Sequence, residues 1–275
     1  MKNDIKDGFL TDTSRKENAY LLGLLWADGW IINEGYMHSV RLQMVKDDFL
    51  LIEPLFRMMG IEVYYERQRT KNGKTFGKVS KMTCIQDKSI IDFLIQNEYD
   101  KKSGYAPTKI LSLIPENLHH YFWRGYVDGD GCISAKKIEI WSVLDQDWCE
   151  AISLADKLEV SYSIYTYHRR GGKHCSSVFY MGGIGNAVKF GDFLYQDYDG
   201  IGLLRKYNKY IQLKEKQKMM PLKTSQYKGV FFASKMKKWG SSYYDSHNKK
   251  QKHLGWFLTE QDAFDALQKF RKCFQ

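Results

Sequence analysis

The sequence predicts an α+β protein made of two similar units followed by a small unit of three strands and one helix. A pattern of helix then hairpin that begins at Val45 returns at Val143, 98 residues later. Each copy follows an apolar helix that ends in Asp-Gly. The segment from Pro221 to Gln275 differs in composition, since it holds 11 Lys and Arg but only 4 Asp and Glu. That segment therefore carries +7 of the net charge of +10.

The first unit opens with the apolar helix YLLGLLWADG and continues into strands. The next helix, VKDDFLLIEPLFRMMG, is expected to be capped by Asp47 or Asp48 and to end at Gly60. The segments IEVYYERQ and KVSKMTC predict a hairpin whose turn is RTKNGKTFG. The unit is thus a helix, two strands, a helix, two strands and a helix.

The second unit repeats this plan. It opens with YFWRGYVDGDG, continues with the helix VLDQDWCEAISLADKL, and then has strands EVSYSIYTYHR and SSVFYM. It ends in the charged helix LLRKYNKYIQLKEKQK. We expect domain boundaries at 17–110 for the first unit, 111–218 for the second and 222–275 for the small basic unit. In that last unit, three aromatic-rich strands precede a helix that opens at Thr259.

Small residues recur four positions apart in both opening helices, at Gly23 and Ala27 and at Gly125 and Gly129. Such stripes let two helices approach closely, which would bring together the acids at their ends, Asp28 and Asp130. Asp-Gly is also a common helix-ending turn, so one copy would carry little weight. Two copies, each opening a repeat, favour a functional pair of carboxylates.

Two carboxylates side by side at the negative ends of helix dipoles repel each other and require a cation. We expect one or more divalent cations, with Mg²⁺ favoured because it also accepts phosphate oxygens. The predicted ligands are the two acids and nearby backbone carbonyls, for which Ala27 and Gly129 are the candidates. The five cysteines are widely spaced and form no zinc pattern.

The segments Leu21–Gly29 and Trp123–Gly131 resemble the paired signature of single-chain LAGLIDADG homing endonucleases. The resemblance implies that the two helices form the interface of two pseudo-symmetric αββαββα subdomains that make a DNA-binding saddle. It also implies that each acid binds metal at one scissile phosphate, so that a monomer makes a double-strand break at a long site, as in intron homing by a mobile element. The sequence departs from the family at Trp26, where an acidic residue is common, and at Arg124, where a small one is common.

Phosphodiester hydrolysis also needs a cation near the developing charge. In the family that this sequence resembles, a lysine late in each repeat has this role. Lys102 and Lys206 stand 74 and 76 residues after their aspartates and are the candidates. Their neighbours Lys101 and Arg205 remain alternatives.

The predicted strands and hairpins supply candidate contacts to double-stranded DNA. Strand alternation places Arg41 and Gln43 on one face. The basic residues of the two hairpin loops complete this set: Arg67, Arg69, Lys71 and Lys74 in the first loop, and Arg169, Arg170 and Lys173 in the second. Solvated hairpin tips are the alternative interpretation of these charges.

The C-terminal unit resembles the plant ethylene-response-factor (APETALA-two) DNA-binding domain. The resemblance rests on Tyr227–Val230, Trp239 and Leu254–Phe257, followed by Thr259 and Ala263. It implies a sheet that enters the major groove. The candidate contacts are Lys228, Lys238, Trp239 and Tyr243, and a core position remains the alternative for the two aromatic residues.

Other classes of function fit less well. No apolar run reaches the roughly 18–20 residues that span a bilayer, and the N-terminus lacks a signal-peptide pattern, so we expect no membrane partner and a place in the cytoplasm or nucleoid. A DNA-binding regulator or RNA maturase that has lost cleavage is the alternative to a nuclease, although both acids are present. We do not expect a nuclease that resides in an intein, because the sequence lacks flanking splicing segments with an initial Cys or Ser and a terminal Asn.

Overall fold

The computed structural model describes residues 6–35, 37–61, 64–71, 74–168, 175–219, 225, 227, 229–245 and 250–272. It divides into two compact units, Met1–Gln217 and Lys218–Gln275. Within the described ranges, no helix is long and apolar enough to cross a membrane.

The first repeat has a four-stranded antiparallel sheet in the order β1-β2-β4-β3. Its elements are α1 (Lys16–Asp28), β1 (Gly29–Glu34), β2 (Met37–Val45), α2 (Lys46–Met58), β3 (Tyr64–Lys71), β4 (Lys74–Ile85) and α3 (Lys88–Gln96). A short helix, α4 (Thr108–Leu113), follows and spans the expected boundary between 110 and 111.

The second repeat has the matching order β5-β6-β8-β7. Its elements are α5 (His119–Asp130), β5 (Gly131–Ser134), β6 (Lys137–Val143), α6 (Cys149–Lys157), β7 (Ser163–His168), β8 (Cys175–Gly182), α7 (Ile184–Leu194) and α8 (Leu204–Met219). The α+β class and the repeated αββαββα order are therefore confirmed.

The same helix-to-strand junction opens both repeats. The amide of Gly29 donates to the carbonyl of Leu25, and the amide of Gly131 donates to the carbonyl of Val127. Each glycine then begins a strand directly after the acidic residue that ends the helix. Both acids are consequently held between a helix end and the first strand of a sheet.

Two local expectations were wrong. Asp47 and Asp48 lie in the first turn of α2 and do not cap it, since Val45 precedes the helix without a side-chain hydrogen bond. The predicted turn of the first hairpin is mostly strand, because β3 and β4 pair as far as Lys71 and Lys74. Asp48 is instead paired with Arg205 of the other repeat, at 2.7 Å.

The C-terminal unit is a three-stranded antiparallel sheet in the order β11-β10-β9, packed against one helix. Its elements are β9 (Val230–Ala233), β10 (Lys238–Asp245), β11 (Lys250–Phe257) and α9 (Glu260–Lys272). The centre of its core is Val230 with Ala263 and Leu267 of the helix. The expected sheet-plus-helix unit is confirmed.

Thr259 caps α9, because its hydroxyl oxygen accepts a hydrogen bond from the amide of Asp262 at 3.1 Å. Thr259→Ala is expected to destabilise this helix by about 1 kcal/mol. Hydrogen exchange of the first amides of α9 measures the effect, and Thr259→Ser is the control that keeps the cap. Equal protection in the alanine and serine variants would contradict the prediction.

Candidate active site and DNA interface

Helices α1 and α5 cross with their backbones in contact. A Cβ added at Gly23 would overlap the carbonyl oxygen of Phe122, and one added at Gly125 would overlap the carbonyl oxygen of Tyr20. One added at Gly129 would overlap the Cβ of Ala27. The predicted stripe of small residues therefore forms the crossing itself.

The crossing brings the ends of both helices together, with Asp28 on one and Asp130 on the other. The Cβ position at Gly129 lies 3.1 Å from the carboxylate oxygen Oδ2 of Asp28. Burial and then the charge of Asp28 raise the pKa of Asp130 to about 6. Burial also raises the pKa of Asp28, against the opposing charges of Lys102 and Lys206. Asp130 is half-buried and Asp28 is exposed, and the charge of Asp28 repels that of Asp130, as expected of two acids that share a cation.

Lys102 covers the C-terminal end of α1. Its ammonium group donates to the carbonyls of Trp26 and Ala27, both at 2.7 Å, and to that of Leu25 at 3.3 Å. Burial lowers the pKa of Lys102 to about 8, although the charges of Asp130 and Asp28 act the other way. This lysine therefore neutralises the helix end that carries Asp28.

Lys206 does the same at the end of α5. Its ammonium group donates to the carbonyls of Val127 at 2.5 Å, Asp128 at 2.6 Å and Gly131 at 2.9 Å. Burial lowers its pKa to about 8. The two lysines are equivalent in the two repeats, so each helix end has one acid and one cation, of which Lys206 is buried and Lys102 half-buried.

The alternatives lie elsewhere. The ammonium of Lys101 stands over the ring of Tyr105, 5.9 Å from its centre. Arg205 forms a two-point ion pair with Asp48, with both Nε–Oδ1 and Nη2–Oδ2 at 2.7 Å. Of each neighbouring pair of cations, the structure brings only Lys102 and Lys206 onto the helix-end carbonyls.

Sequence reasoning missed a buried charged network behind this site. Arg124 is fully buried and donates to the carbonyls of Leu194 at 2.8 Å and Ile201 at 2.9 Å. Asp128 accepts from the hydroxyl of Tyr20 at 2.9 Å and from the amide of Leu203 at 2.8 Å. These bonds tie the loop before α8 to α5 and thereby place Lys206. An arginine within an apolar helix was the available signal.

The donor set suits a hard divalent cation. Among the described residues, no group of three or more His, Cys, Asp or Glu side chains could hold a metal ion. Mg²⁺ needs only one or two carboxylates, because water and phosphate oxygens complete its shell. The carbonyl of Ala27, a predicted ligand, accepts a hydrogen bond from Lys102, so its use by a metal requires that lysine to share or release it. Gly129, the other predicted carbonyl donor, lies in the last turn of α5.

A cavity of about 430 Å³ adjoins Asp130. Lys102 and Ala27 line one side of it, and Gln146 and Trp141 line another. Gln146 is fixed there by hydrogen bonds from its amide nitrogen to the carbonyls of Tyr105 and Asp147 and from the hydroxyl of Ser142 to its amide oxygen. The cavity leaves room for a polar ligand beside the acid.

The first sheet has the predicted polar face. Val40 and Leu42 are fully buried on the core side of β2, and Arg41 and Gln43 alternate with them on the other side. Gln43 donates to the hydroxyl of Ser80 at 2.6 Å. Arg67 is exposed on β3, whereas only the backbone is described for Arg69, Lys71 and Lys74. Arg169, Arg170, Lys173 and Lys228 lie outside the described residues.

The second sheet differs, because its corresponding face is aromatic. Trp141 and Tyr167 pack edge to face with ring centres 5.2 Å apart, as do Tyr165 and Tyr180 at 5.9 Å. Among them lies Glu139, which pairs with Lys137 at 2.7 Å and accepts from the hydroxyl of Tyr165 at 3.0 Å. The alternation with Ile138 and Ile140 is the sequence signal for this face, whereas the predicted contacts of this repeat are the basic residues at its hairpin tip.

In the C-terminal unit, two of the aromatic candidates lie against the core. Trp239 and Tyr243 lie on the sheet face that α9 covers and pack against the core. Tyr243 contacts Phe270 of the helix with ring centres 5.4 Å apart. This position fits the core alternative for both residues, and their contact with DNA stays a prediction. Lys238, the other described candidate, is exposed.

Comparison with known proteins gives a result at the level of fold. No protein-family model and no curated protein sequence matches the chain. The solved structure of the homing endonuclease I-WcaI bound to its DNA recognition sequence is similar, with a TM-score of 0.50 and 13% identity over 72% of this chain and 87% of that one. This chain shares the fold of that homing endonuclease.

Two further solved structures are similar at lower scores. I-DmoI in complex with DNA and Ca has a TM-score of 0.45 and 14% identity over 66% of this chain and 91% of that one. Full-length DUF199/WhiA from Thermatoga maritima has a TM-score of 0.43 and 16% identity over 75% of this chain and 62% of that one.

Proposed function

We propose that this protein is a metal-dependent DNA endonuclease of the homing type that makes double-strand breaks at a long recognition site. One observation carries the proposal: Asp28 and Asp130 lie at adjoining ends of two crossing helices, and a lysine ammonium is bound to the carbonyls of each end. Two equivalent sets of acid and cation suit two scissile phosphates. Because one chain supplies both sets, we infer that the protein acts as a monomer.

In this proposal Asp28 and Asp130 hold the divalent cation, Mg²⁺, with Ala27 and Gly129 as carbonyl donors. A bound Mg²⁺ would stabilise charge on a phosphate oxygen and lower the pKa of a water molecule. Lys102 and Lys206 provide fixed positive charge where negative charge develops, and their buried position makes that charge effective. Arg124 and Asp128 act through Lys206 and are positioning residues.

The two repeats, 17–110 and 111–218, would each read one half of the site, and 222–275 would add a third DNA-binding unit. Arg41, Gln43 and Arg67 offer hydrogen bonds to base edges and phosphates. The remaining basic residues proposed to bind DNA are Arg69, Lys71, Lys74, Arg169, Arg170, Lys173, Lys228 and Lys238. The fold supports this arrangement, since I-WcaI is bound to its DNA recognition sequence.

The second sheet has an aromatic face where the first has a polar one, which predicts that the two halves of the DNA recognition site differ in base composition. Trp141 and Tyr167 favour apolar contact with thymine methyl groups, whereas Arg41 favours guanine. We therefore expect guanine in the half-site read by the first repeat and thymine in the other. Cleavage of a target library in which each position is varied measures this preference, and equal composition of the two halves would contradict it.

The proposed function is tested by incubating the protein with a randomised DNA library in Mg²⁺ or in EDTA and sequencing the cut ends. Discrete breaks at one long sequence, present only with Mg²⁺, are expected. Absence of cuts together with retained binding of DNA or of intron RNA would overturn the nuclease in favour of a regulator or maturase.

Removal of residues 221–275 is expected to weaken duplex binding and to flatten its dependence on salt. The segment carries +7, and each lost phosphate contact lowers the slope of log K against log salt by about 0.9. Anisotropy titrations over a range of salt concentrations measure the slope. As a control, the truncated protein should still cleave the same sequence at low salt, which shows that its remaining unit is intact. An unchanged slope would contradict the prediction.

A further inference from the structure

The C-terminal sheet has one covered face and one open face. On the open face, three aromatic side chains from β9 and β11 form a cluster: Phe231, His253 and Trp256. The ring of Trp256 lies 4.5 Å from that of His253 and 5.6 Å from that of Phe231, measured between ring centres. Phe231 and Trp256 are each 39% exposed. This aromatic cluster is unlike the buried rings on the other face, because nothing within this unit covers it among the described residues.

The strand between them forms the floor of the cluster. Gly240 of β10 pairs with Phe231 on one side and with Trp256 on the other. A Cβ at Gly240 would lie 2.7 Å from a ring atom of each. Glycine therefore lets both rings lean over the central strand, so that they make one continuous apolar surface.

Three cations lie next to the open face of this unit. Lys235, Lys237 and Lys238 are exposed in and beside the turn from β9 to β10, next to the open face. Helix α9, which packs against the opposite face, carries charges of both signs in equal number: Glu260, Asp262, Asp265, Lys269, Arg271 and Lys272. The open face thus combines aromatic rings with cations, and this combination is complementary to nucleic acid.

We propose that this open face binds unpaired nucleotides of a single-stranded nucleic acid, with bases stacked on the aromatic cluster and phosphates bound by the three lysines. Aromatic rings stack on the flat faces of bases, and in a duplex those faces are covered by the neighbouring base pairs. A duplex would offer this surface only its groove edges. The activity involves neither Asp28 nor Asp130 and is independent of the proposed cleavage.

The test uses the full chain in EDTA, where the proposed cleavage is absent. Fluorescence anisotropy compares a labelled single strand of about 12–16 nucleotides with a duplex of the same sequence. Phe231→Ala and Trp256→Ala are each expected to weaken single-strand binding about tenfold and to leave duplex binding within about twofold. Trp256→Phe, which keeps a ring, is expected to retain most of the affinity, whereas Trp256→Leu is not.

Leu258→Ala is the matched control, because Leu258 is an 81% exposed apolar residue of the same unit outside the cluster. It is expected to leave both affinities unchanged. Unchanged single-strand binding in the Phe231 and Trp256 variants would overturn the proposal. Weakening of duplex binding by the same factor would also overturn it, because the face would then read duplex DNA.

A second measurement uses the unaltered protein, so its result does not depend on whether the variants fold. A single strand containing bromodeoxyuridine is crosslinked by light to the unaltered chain, and the modified peptides are identified by mass spectrometry. Crosslinks at Phe231, His253 or Trp256 are expected. Crosslinks confined to residues before 218 would overturn the proposal.

Discussion

Asp28→Asn and Asp130→Asn are each expected to lower double-strand cleavage by at least about 10²–10³-fold while leaving DNA binding nearly intact. An asparagine keeps the shape of the side chain but removes the negative charge that holds a cation. Neither change should unfold the protein, because Asp28 is exposed, Asp130 is half-buried, and removing either charge relieves the repulsion between them. The effect is therefore expected in catalysis and not in affinity.

A supercoiled plasmid carrying the target measures this prediction, since nicked and linear products report one cut and two cuts separately. Anisotropy with the same target sequence measures binding. Asp92→Asn is the control, because Asp92 is an exposed acid paired with Lys88 far from the helix crossing in sequence. Wild-type cleavage in either active-site variant would show that its acid is dispensable, and loss of binding would show that its role is structural.

Gly125→Ala is expected to destabilise the larger unit by about 3 kcal/mol or more. The new methyl group would overlap the carbonyl oxygen of Tyr20 and lie 2.7 Å from the amide nitrogen of Leu24. Both atoms are backbone atoms of α1, so no side-chain rotation can relieve the overlap. The helices would have to separate, and the packing along the whole crossing would be lost.

Urea denaturation measures the free energy of unfolding of Gly125→Ala and of a matched control variant. Gly185→Ala makes the same chemical change within α7, where a Cβ would meet open space. It is expected to leave stability unchanged or to raise it by about 0.5–1 kcal/mol, because alanine favours helix. Equal stability of the two variants would show that the crossing is looser than the structure indicates.

Much of the fold could be predicted from the sequence, because the signals for it are local and occur twice. The four-residue spacing of Gly23 and Ala27 returns at Gly125 and Gly129, and it was enough to predict which helices meet. Lys102 and Lys206 follow their acids at similar separations along the sequence, and this similarity predicted the two lysines as the cations of the site. These separations could not distinguish Lys102 from Lys101 or Lys206 from Arg205, because neighbouring residues differ mainly in the direction of their side chains.

The remaining features depend on contacts between distant segments. Arg124 bonds to Ile201 and Asp128 bonds to Leu203, in both cases more than seventy residues later, and no local pattern encodes these contacts. The aromatic residues of the C-terminal strands posed a different difficulty. Trp239 and Trp256 both occur in strands with alternating patterns, and only the position of α9 decides which of them is covered.

The touching backbones of α1 and α5 also bear on how such a protein can change over time. The acids are anchored to that contact, while the side chains proposed to read DNA stand on β2, β6 and the strands beside them. Substitutions on the sheets can therefore alter which sequence is bound without altering the separation of Asp28 from Asp130. Under the proposed function, the stagger between the two cuts would stay the same while the target sequence changes, because Gly23, Gly125 and Gly129 leave no room for a larger side chain.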